Sequence, residues 1–391
     1  MKEFVIAGVC RTPIGRFGGT LTPLSAPDLG VLAVTESLRR AGLEPERVDE
    51  VLFGHGRQAG AGTNSARQVA VRSGIPVERP AMTVNMACAS GMKSIQLAGQ
   101  SIELGCAEVV VAGGTESMSN TPYLLPNARW GYRLGDSQVV DGMYRDGFRC
   151  PLADQIMGRT AETLAERYDI SRDEQDEWAV TSQRRCQAAR EEGRFDRETF
   201  PVEVPGRKGP ETLTEDEHPR ANATVEGMRK LKAAFRENGT VHAGNSSGIT
   251  DGAAAMVVMA AETAERLGVT PMARITALSV AGVDPKEMGI GPVPAVRKLF
   301  AETGLSFDDF DLVELNEAFA AQFLACHREL GFDLTKTNVN GGAIAIGHPI
   351  GATGARIVTT LLHEMERVDA KRGLATLCVS GGMGMAMVFE R

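Results

Sequence analysis

The segment NMACASGMKSIQLAGQSIELG (residues 85–105) leads into AEVVVAGGTESM (107–118), and the other half of the chain repeats the plan. There NVNGGAIAIGHPIGATGARIVTTLLHEM (338–365) leads into GLATLCVSGGMGMAMVFE (373–390). Each copy starts in a turn of glycine and small residues, continues as an apolar helix and ends in a strand that stops at a glycine pair. The pairs are Gly113-Gly114 and Gly381-Gly382. In the first copy Met92, Ile95, Gly99 and Ile102 share one helical face, and Gly105 offers a C-terminal stop. Both strands are continuous apolar runs, as expected of strands buried on two faces. The repeated order points to a duplicated α/β unit, with chance similarity of two ordinary βαβ units as the alternative.

Residues 119–245 are polar and charged by comparison. Ser171 with Glu174 forms a capping-box signature, Trp178 follows inside the helix, and Gly193 is its stop. Residues 201–235 show little periodicity until their end. The region reads as an inserted loop domain. It divides an N-terminal half (1–118 with 246–270) from a C-terminal half (271–391), provided that AGNSSGITDGAAAMVVMAAETAERLG (243–268) returns to the first sheet. A separate middle domain is the alternative.

A length of 391 residues with 43% hydrophobic residues supports two substantial cores. The longest apolar run, residues 253–261, falls well short of the roughly 20 residues of a membrane-spanning helix. The start of the chain lacks the charged and long apolar blocks of a signal peptide. A net charge of −8 argues against nucleic acid or anionic lipid as a bulk partner. The seven scattered cysteines contain no C-x-x-C pair, so neither a disulfide framework nor a zinc site is suggested, and a reducing cytoplasm fits best.

Cys88 stands at a helix start, where unpaired N–H groups and the helix dipole favour a thiolate and offer donors to an oxyanion. Free cysteines are more often small core hydrophobes, so the reading needs a base. Of six histidines, His348 alone lies in a glycine-rich segment. Pro349 beside it suggests a tight, exposed turn ahead of a helix beginning near Gly354. A hydrogen-bonded turn histidine is the plain alternative. His363 and His327 read as helix-surface residues, and His55, His218 and His242 as loop residues without companion chemistry. Cys378 ends an apolar strand just before Ser380, where α/β folds place functional groups, and a thiol can serve as acid or base. Asn316 follows the short strand DLVEL (311–315), placed to hold a water or an oxyanion, or else to cap the next helix. No H-E-x-x-H, phosphate-binding or dinucleotide glycine motif occurs, so metal, nucleotide-hydrolysis and nicotinamide chemistry lose support.

With NMACASG, NEAFA, GGAIAIGHPIGATGAR and CVSGGMGMA in this order, the sequence resembles the thiolases, in particular those that form acetoacetyl-CoA. AGVCRTPIGRFGG, VVAGGTESMS, AGNSSGITDGAAA and MGIGPVPA extend the resemblance over essentially all residues. It implies an α/β fold of two βαβαβαββ halves, each with a five-stranded sheet, in five α/β/α/β/α layers with an inserted loop domain. It implies reversible condensation of two acetyl-CoA molecules to acetoacetyl-CoA and CoA, with coenzyme A thioesters as substrates and no cofactor or metal required. Cys88 would carry the acyl group and His348 would take its proton. Cys378 would exchange the α-proton, while Asn316 with a water and His348 would hold the enolate oxygen. Ser247 would touch the pantetheine, Arg220 and the basic stretch RKLKAAFR (229–236) would face the phosphates, and Met157 and Met288, with Ile156, would line the acyl pocket. About half of those basic residues read equally as a solvated face. A homodimer or homotetramer is implied.

Three positions depart from the family pattern: Ile156 where many short-chain members have histidine, Ser380 for a common glycine and Gly227 for a frequent serine. None removes a catalytic group. The rival readings are a degradative thiolase for longer or 3-oxoadipyl substrates and a non-catalytic acyl-CoA binder. A decarboxylating ketoacyl synthase would be expected to have two histidines where this chain has His348 and Cys378.

Overall fold

In the computed structural model, which describes residues 3–206 and 209–391, the two copies meet in one continuous mixed sheet. Its main strands, beside a two-residue strand Gly15–Arg16 that pairs with Thr250 and Asp251, are β1 (Phe4–Arg11), β2 (Glu50–His55), β3 (Ala81–Val84), β4 (Val109–Ser117), β5 (Thr250–Ala260), β6 (Ala273–Gly282), β7 (Leu312–Leu315), β8 (Arg372–Val379) and β9 (Met383–Glu390). They lie in the order β7-β8-β9-β6-β1-β5-β4-β2-β3. Pairing is parallel at the two ends and antiparallel through the middle, and the halves join where Phe4 to Ile6 run against Ile275 to Ala273.

The second half lacks a full fifth strand. A single parallel bridge between Val313 and Thr337 occupies the place that β3 has in the first half. Asn338 explains the difference. It adopts φ 48°, and its side chain bonds both Leu315 N (2.9 Å) and Leu315 O (2.8 Å), so an amide side chain supplies the ladder contacts of a strand residue.

The main helices are α1 (Ala26–Ala41), α2 (Ser65–Arg72), α3 (Ser90–Glu103), α4 (Met157–Arg167), α5 (Arg172–Glu191), α6 (Pro292–Thr303), α7 (Ala320–Leu330) and α8 (Ile350–Arg367). Alternation along the strands sorts them into layers. Met256 and Val258 of β5 face Met92 and Ile95 of α3 and Leu361 and Leu362 of α8, whereas Val257 and Met259 face Leu29 and Val34 of α1. In the second half Leu377 and Met387 join the same middle helices, while Leu374 and Val388 meet Val296 and Leu299 of α6. The result is α/β/α/β/α, with α3 and α8 as the shared central layer.

The chain leaves the sheet after Ser117 and re-enters on Asp251, which pairs with Ser117. Between them α4 and α5 share an apolar cluster with α7 and β7, where Trp178 stacks on Phe323 with ring centroids 4.0 Å apart. The capping box at Ser171 and Glu174 forms as expected.

Gly113-Gly114 does not end its strand, contrary to the repeat read from sequence. β4 runs straight through it, because a Cβ on Gly114 would lie 2.1 Å from Gly351 O and one on Gly113 2.2 Å from Ala254 O. These glycines admit neighbouring backbones. Gly381-Gly382, with φ of 93° and 89°, does turn the chain. Helix α8 begins at Ile350, four residues before the expected start near Gly354.

Candidate active site

Cys88 sits in a single 3-10 turn, Ala87–Ala89, feeding α3. Ala87 ahead of it has φ 45°, a left-handed conformation that costs a residue with a Cβ about 1 kcal/mol. Side chains brace it. Asn85 Oδ1 accepts the Ala87 N–H (3.0 Å), and Ser90 Oγ accepts from Met86 N (2.9 Å) while donating to Ala87 O (2.6 Å).

From the other half, His348 brings Nε2 to 3.3 Å from Cys88 Sγ. Its Nδ1 lies 2.6 Å from Thr353 Oγ1, and that hydroxyl donates to Pro349 O at 2.9 Å. The threonine proton is thereby committed, so Nδ1 must carry the imidazole proton and Nε2 the lone pair facing the thiol. The turn is not exposed, as its glycines suggested, since His348 is buried under the cleft.

Burial also reverses the expected charge state. It pushes the Cys88 thiol up, with backbone N–H groups of Ser380 and Cys88 itself and the Arg57 charge pulling the other way. It pushes His348 down to about 3, helped by Arg356 and Arg57 and opposed by Glu116. At rest the pair is a neutral thiol beside a neutral imidazole, because loss of water outweighs the helix dipole.

Cys378 closes β8 at the same cleft, and burial, then the neighbouring Cys88 and Cys326, hold it well above the usual thiol range. Ser247, Met157, Met288 and Ser380 also line the cleft, with Phe319 and Phe148 among its apolar walls. Asn316 follows β7, fully buried, and neither atom of its amide has a hydrogen-bond partner among the described residues. It is not a helix cap, for α7 begins at Ala320. A buried, unpaired amide is unfavourable unless something is bound to it.

Other expected residues fall elsewhere. Ile156 does not line this cleft but the next one, with Arg149, Arg159 and Phe235, as the chain passes from a short strand at Ile156 into helix α4 at Met157. Arg220 is exposed on a loop whose N–H bonds Gln183, and it does not line the cleft. In the stretch 229–236, Arg229 pairs with Asp173 and Arg236 with Glu166, leaving Lys230 and Lys232 exposed. Gly227 caps against Thr224 Oγ1 with an ordinary helical contact.

Glu116 was missed in the sequence, although a carboxylate inside VVVAGGTES is itself a signal. Fully buried, it accepts from Arg57 N (3.0 Å) and Gly351 N (2.8 Å) and lies 3.2 Å from His55 Nε2. It therefore fastens the end of β2 to the start of the helix behind His348. Burial would raise its pKa, but His55 and Arg57 outweigh that and hold it low. Neither His55 nor His242 lacks companions. His55 also bonds Ser65, and His242, buried against Asp176 at 2.7 Å, orders the loop before Ser247. His363 and His327 are half-buried, His363 bonding Val9 O.

A thiol with a base already aimed at it, two backbone donors beside it and a second thiol across one cleft is equipped to accept an acyl group and pass it on; this is the constellation of a cysteine acyltransferase. Residues 4–262 match the family model "Thiolase, N-terminal domain" and residues 269–391 "Thiolase, C-terminal domain". The chain belongs to the thiolase family. It is 52% identical over 392 aligned residues to the acetyl-CoA acetyltransferase of Cupriavidus necator, with 100% of each chain covered. The crystal structure of the Bacillus anthracis acetyl-CoA acetyltransferase matches with a TM-score of 0.98 at 46% identity, covering 100% of this chain and 99% of that one. Human mitochondrial 3-ketoacyl-CoA thiolase in complex with CoA matches at 0.96 and 42%, covering 100% and 98%.

Proposed function

We propose that the protein is an acetyl-CoA C-acetyltransferase, interconverting two acetyl-CoA with acetoacetyl-CoA and CoA through an acetyl thioester on Cys88. The observation that carries this reading is the 3.3 Å approach of His348 Nε2 to Cys88 Sγ in a cleft shared with Cys378.

As the Cys88 sulfur attacks the acyl carbonyl, its proton passes to His348, and the oxyanion meets the N–H groups of Cys88 and Ser380. The CoA thiolate departs and takes the Cys378 proton, leaving at Cys378 a thiolate whose charge is balanced by the new imidazolium. Cys378 is then the base that removes the α-proton of the second acetyl-CoA. The enolate oxygen is held by the imidazolium and by Asn316 through a water. Attack of the enolate carbon on the Cys88 thioester forms the carbon–carbon bond and frees Cys88, which recovers its proton from His348. Atoms and protons balance without a metal or cofactor.

The site residues that line the cleft or lie near it support the rest. Ser247 would touch the pantetheine, and Arg220, Lys230 and Lys232 of the inserted loop domain (119–245) are exposed cations that would face the phosphates. Met157, Met288 and Phe319 narrow the acyl end, favouring a four-carbon substrate. Assembly as a homodimer or homotetramer is supported by β3, an edge strand with Met82 exposed, and by the segment bearing Trp130 (81% exposed) and Leu134 (99%). No helix among the described residues is long and apolar enough to cross a membrane, and the reading is of a cytoplasmic enzyme.

Steady-state thiolysis with 3-oxoacyl-CoAs of four to eight carbons tests the proposal. A higher kcat/KM for the four-carbon substrate is expected. A preference for eight carbons would favour the degradative alternative.

A further inference from the structure

Below His348, helix α8 carries a polar stripe into the otherwise apolar central layer. Thr353, Arg356, Thr360 and Glu364 follow at helical spacing on one face, each 5% exposed or less. Thr353 bonds His348, Thr360 Oγ1 donates to Glu198 Oε1 (3.3 Å), and Glu364 accepts from Asn340 (3.0 Å) and Arg367 (2.6 Å). Arg356 is different. Among the described residues none of its three nitrogens has a hydrogen-bond partner, though the side chain is buried. An orphaned buried guanidinium is among the least favourable arrangements a protein tolerates, and it asks for a reason.

Of the carboxylates around it, Glu198 and Glu317 are bonded to other groups. Glu198 is held by Arg11 (2.6 Å), which also holds Asp216 (2.7 Å). Glu317 is occupied by Trp178, Ser182, Asn338 and the Ile344 N–H. Glu314 of β7 remains, and burial lifts its carboxyl to about 8, so that at neutral pH it is mostly protonated despite the pull of Arg356. Burial disfavours the charged guanidinium, and Glu314, Glu198 and Glu317 favour it only through space, with no hydrogen bond to it from any of them.

We propose that Arg356 is a positioning residue that keeps the resting His348 unprotonated ahead of acyl transfer: one helical turn beyond the threonine holding the imidazole, its guanidinium, buried without a hydrogen-bond partner, opposes an imidazolium there. The other charged or titratable groups facing His348 among the described residues are the Cys88 thiol, the Cys378 thiol in the same cleft, Arg57 and Glu116. Glu116 favours protonation, but it is already committed to His55 and to backbone N–H groups. Among these charges Arg356 acts most strongly against the imidazolium, after burial itself. The consequence is a base that is always free to accept the Cys88 proton.

This inference rests on His348 serving Cys88 as base, and the test keeps the two apart. Alkylation of Cys88 by iodoacetamide, followed by peptide mass between pH 4 and 8, needs no turnover. In the wild-type protein the acid limb of the rate should lie below pH 5. In Arg356→Met it should move up by about one pH unit or more, and in Arg356→Lys it should stay at the wild-type position. Should Arg356→Met fail to fold, the double variant Arg356→Met/Glu314→Leu, which removes the buried guanidinium and the buried carboxyl together, carries the same expectation. A folded variant whose limb coincides with wild type overturns the role of Arg356. A limb that persists in His348→Asn overturns the base itself, and absence of acetoacetyl-CoA thiolysis by the wild-type protein counts against the proposed function alone.

Discussion

His348 Nε2 and Cys88 Sγ stand 3.3 Å apart although 260 positions separate them in the chain. Each is contributed by one copy of the duplicated unit, at the start of one of the two central helices, so the chemistry exists only because α3 and α8 pack against each other. Gly91, whose Cβ would lie 2.7 Å from Ala355 N, shows how close that packing is.

The threonine behind the histidine fixes which nitrogen faces the thiol. Thr353→Val keeps the buried volume and removes Oγ1, so Nδ1–H loses its acceptor and the imidazole can turn or change tautomer. The expected result is a fall of roughly 10- to 100-fold in kcat for acetoacetyl-CoA thiolysis, with KM little changed. Steady-state kinetics checks this, and a proportionate rise in KM would point instead to a disturbed binding cleft.

Much of this arrangement was legible in the sequence because the chemistry sits where periodicity breaks. Cys88, His348 and Cys378 each lie at the junction of an apolar run with small residues or glycine, the repeat pointed to a duplicated α/β unit, and the resemblance to the thiolases implied the layers. What escaped notice depended on contacts between distant segments. Gly113-Gly114 read as a corner because sequence alone cannot show that Gly351 O presses on it. The thiolate expected at Cys88 followed from the helix start, whereas desolvation by the other half decides its state. Glu116 and Arg356 stood inside apolar strands and helices, where a buried charge is itself a mark of function that periodicity passes over.

Acyl length should respond to the methionines of the cleft. Met288→Ala shortens a flexible side chain that occupies the space of additional methylenes. The ratio of kcat/KM for eight-carbon to four-carbon 3-oxoacyl-CoA should rise about tenfold, an effect of one or two methylene contacts. An unchanged ratio would place the limit on chain length elsewhere. Ile156→His should leave the ratio as it is, since Ile156 faces the neighbouring cleft.

The depressed basicity of His348 also links stability to pH. Folded, it titrates at about 3, while an unfolded chain protonates it near the ordinary value of about 6.5. Its contribution is therefore present above about pH 6.5 and is lost as pH falls toward 3. His348→Asn lacks that penalty, so the difference in Tm, wild type minus variant, should decrease from pH 7 to pH 5. Thermal unfolding at several pH values measures it, and a difference that grows on acidification would mean that the imidazole is charged in the folded protein.

The division of labour between the two thiols is the centre of the account. Acyl transfer to Cys88 needs a nucleophile, a base and oxyanion donors, but no carbon acid, whereas joining two acetyl groups needs an α-proton removed, the role proposed for Cys378. Intact-mass measurement after incubation with acetyl-CoA separates the steps. Cys378→Ala should gain one acetyl group, located on Cys88, yet condense orders of magnitude more slowly than wild type, and Cys88→Ala should gain none. An acetyl group found on Cys378 in the Cys88→Ala protein, or wild-type condensation by Cys378→Ala, would contradict it.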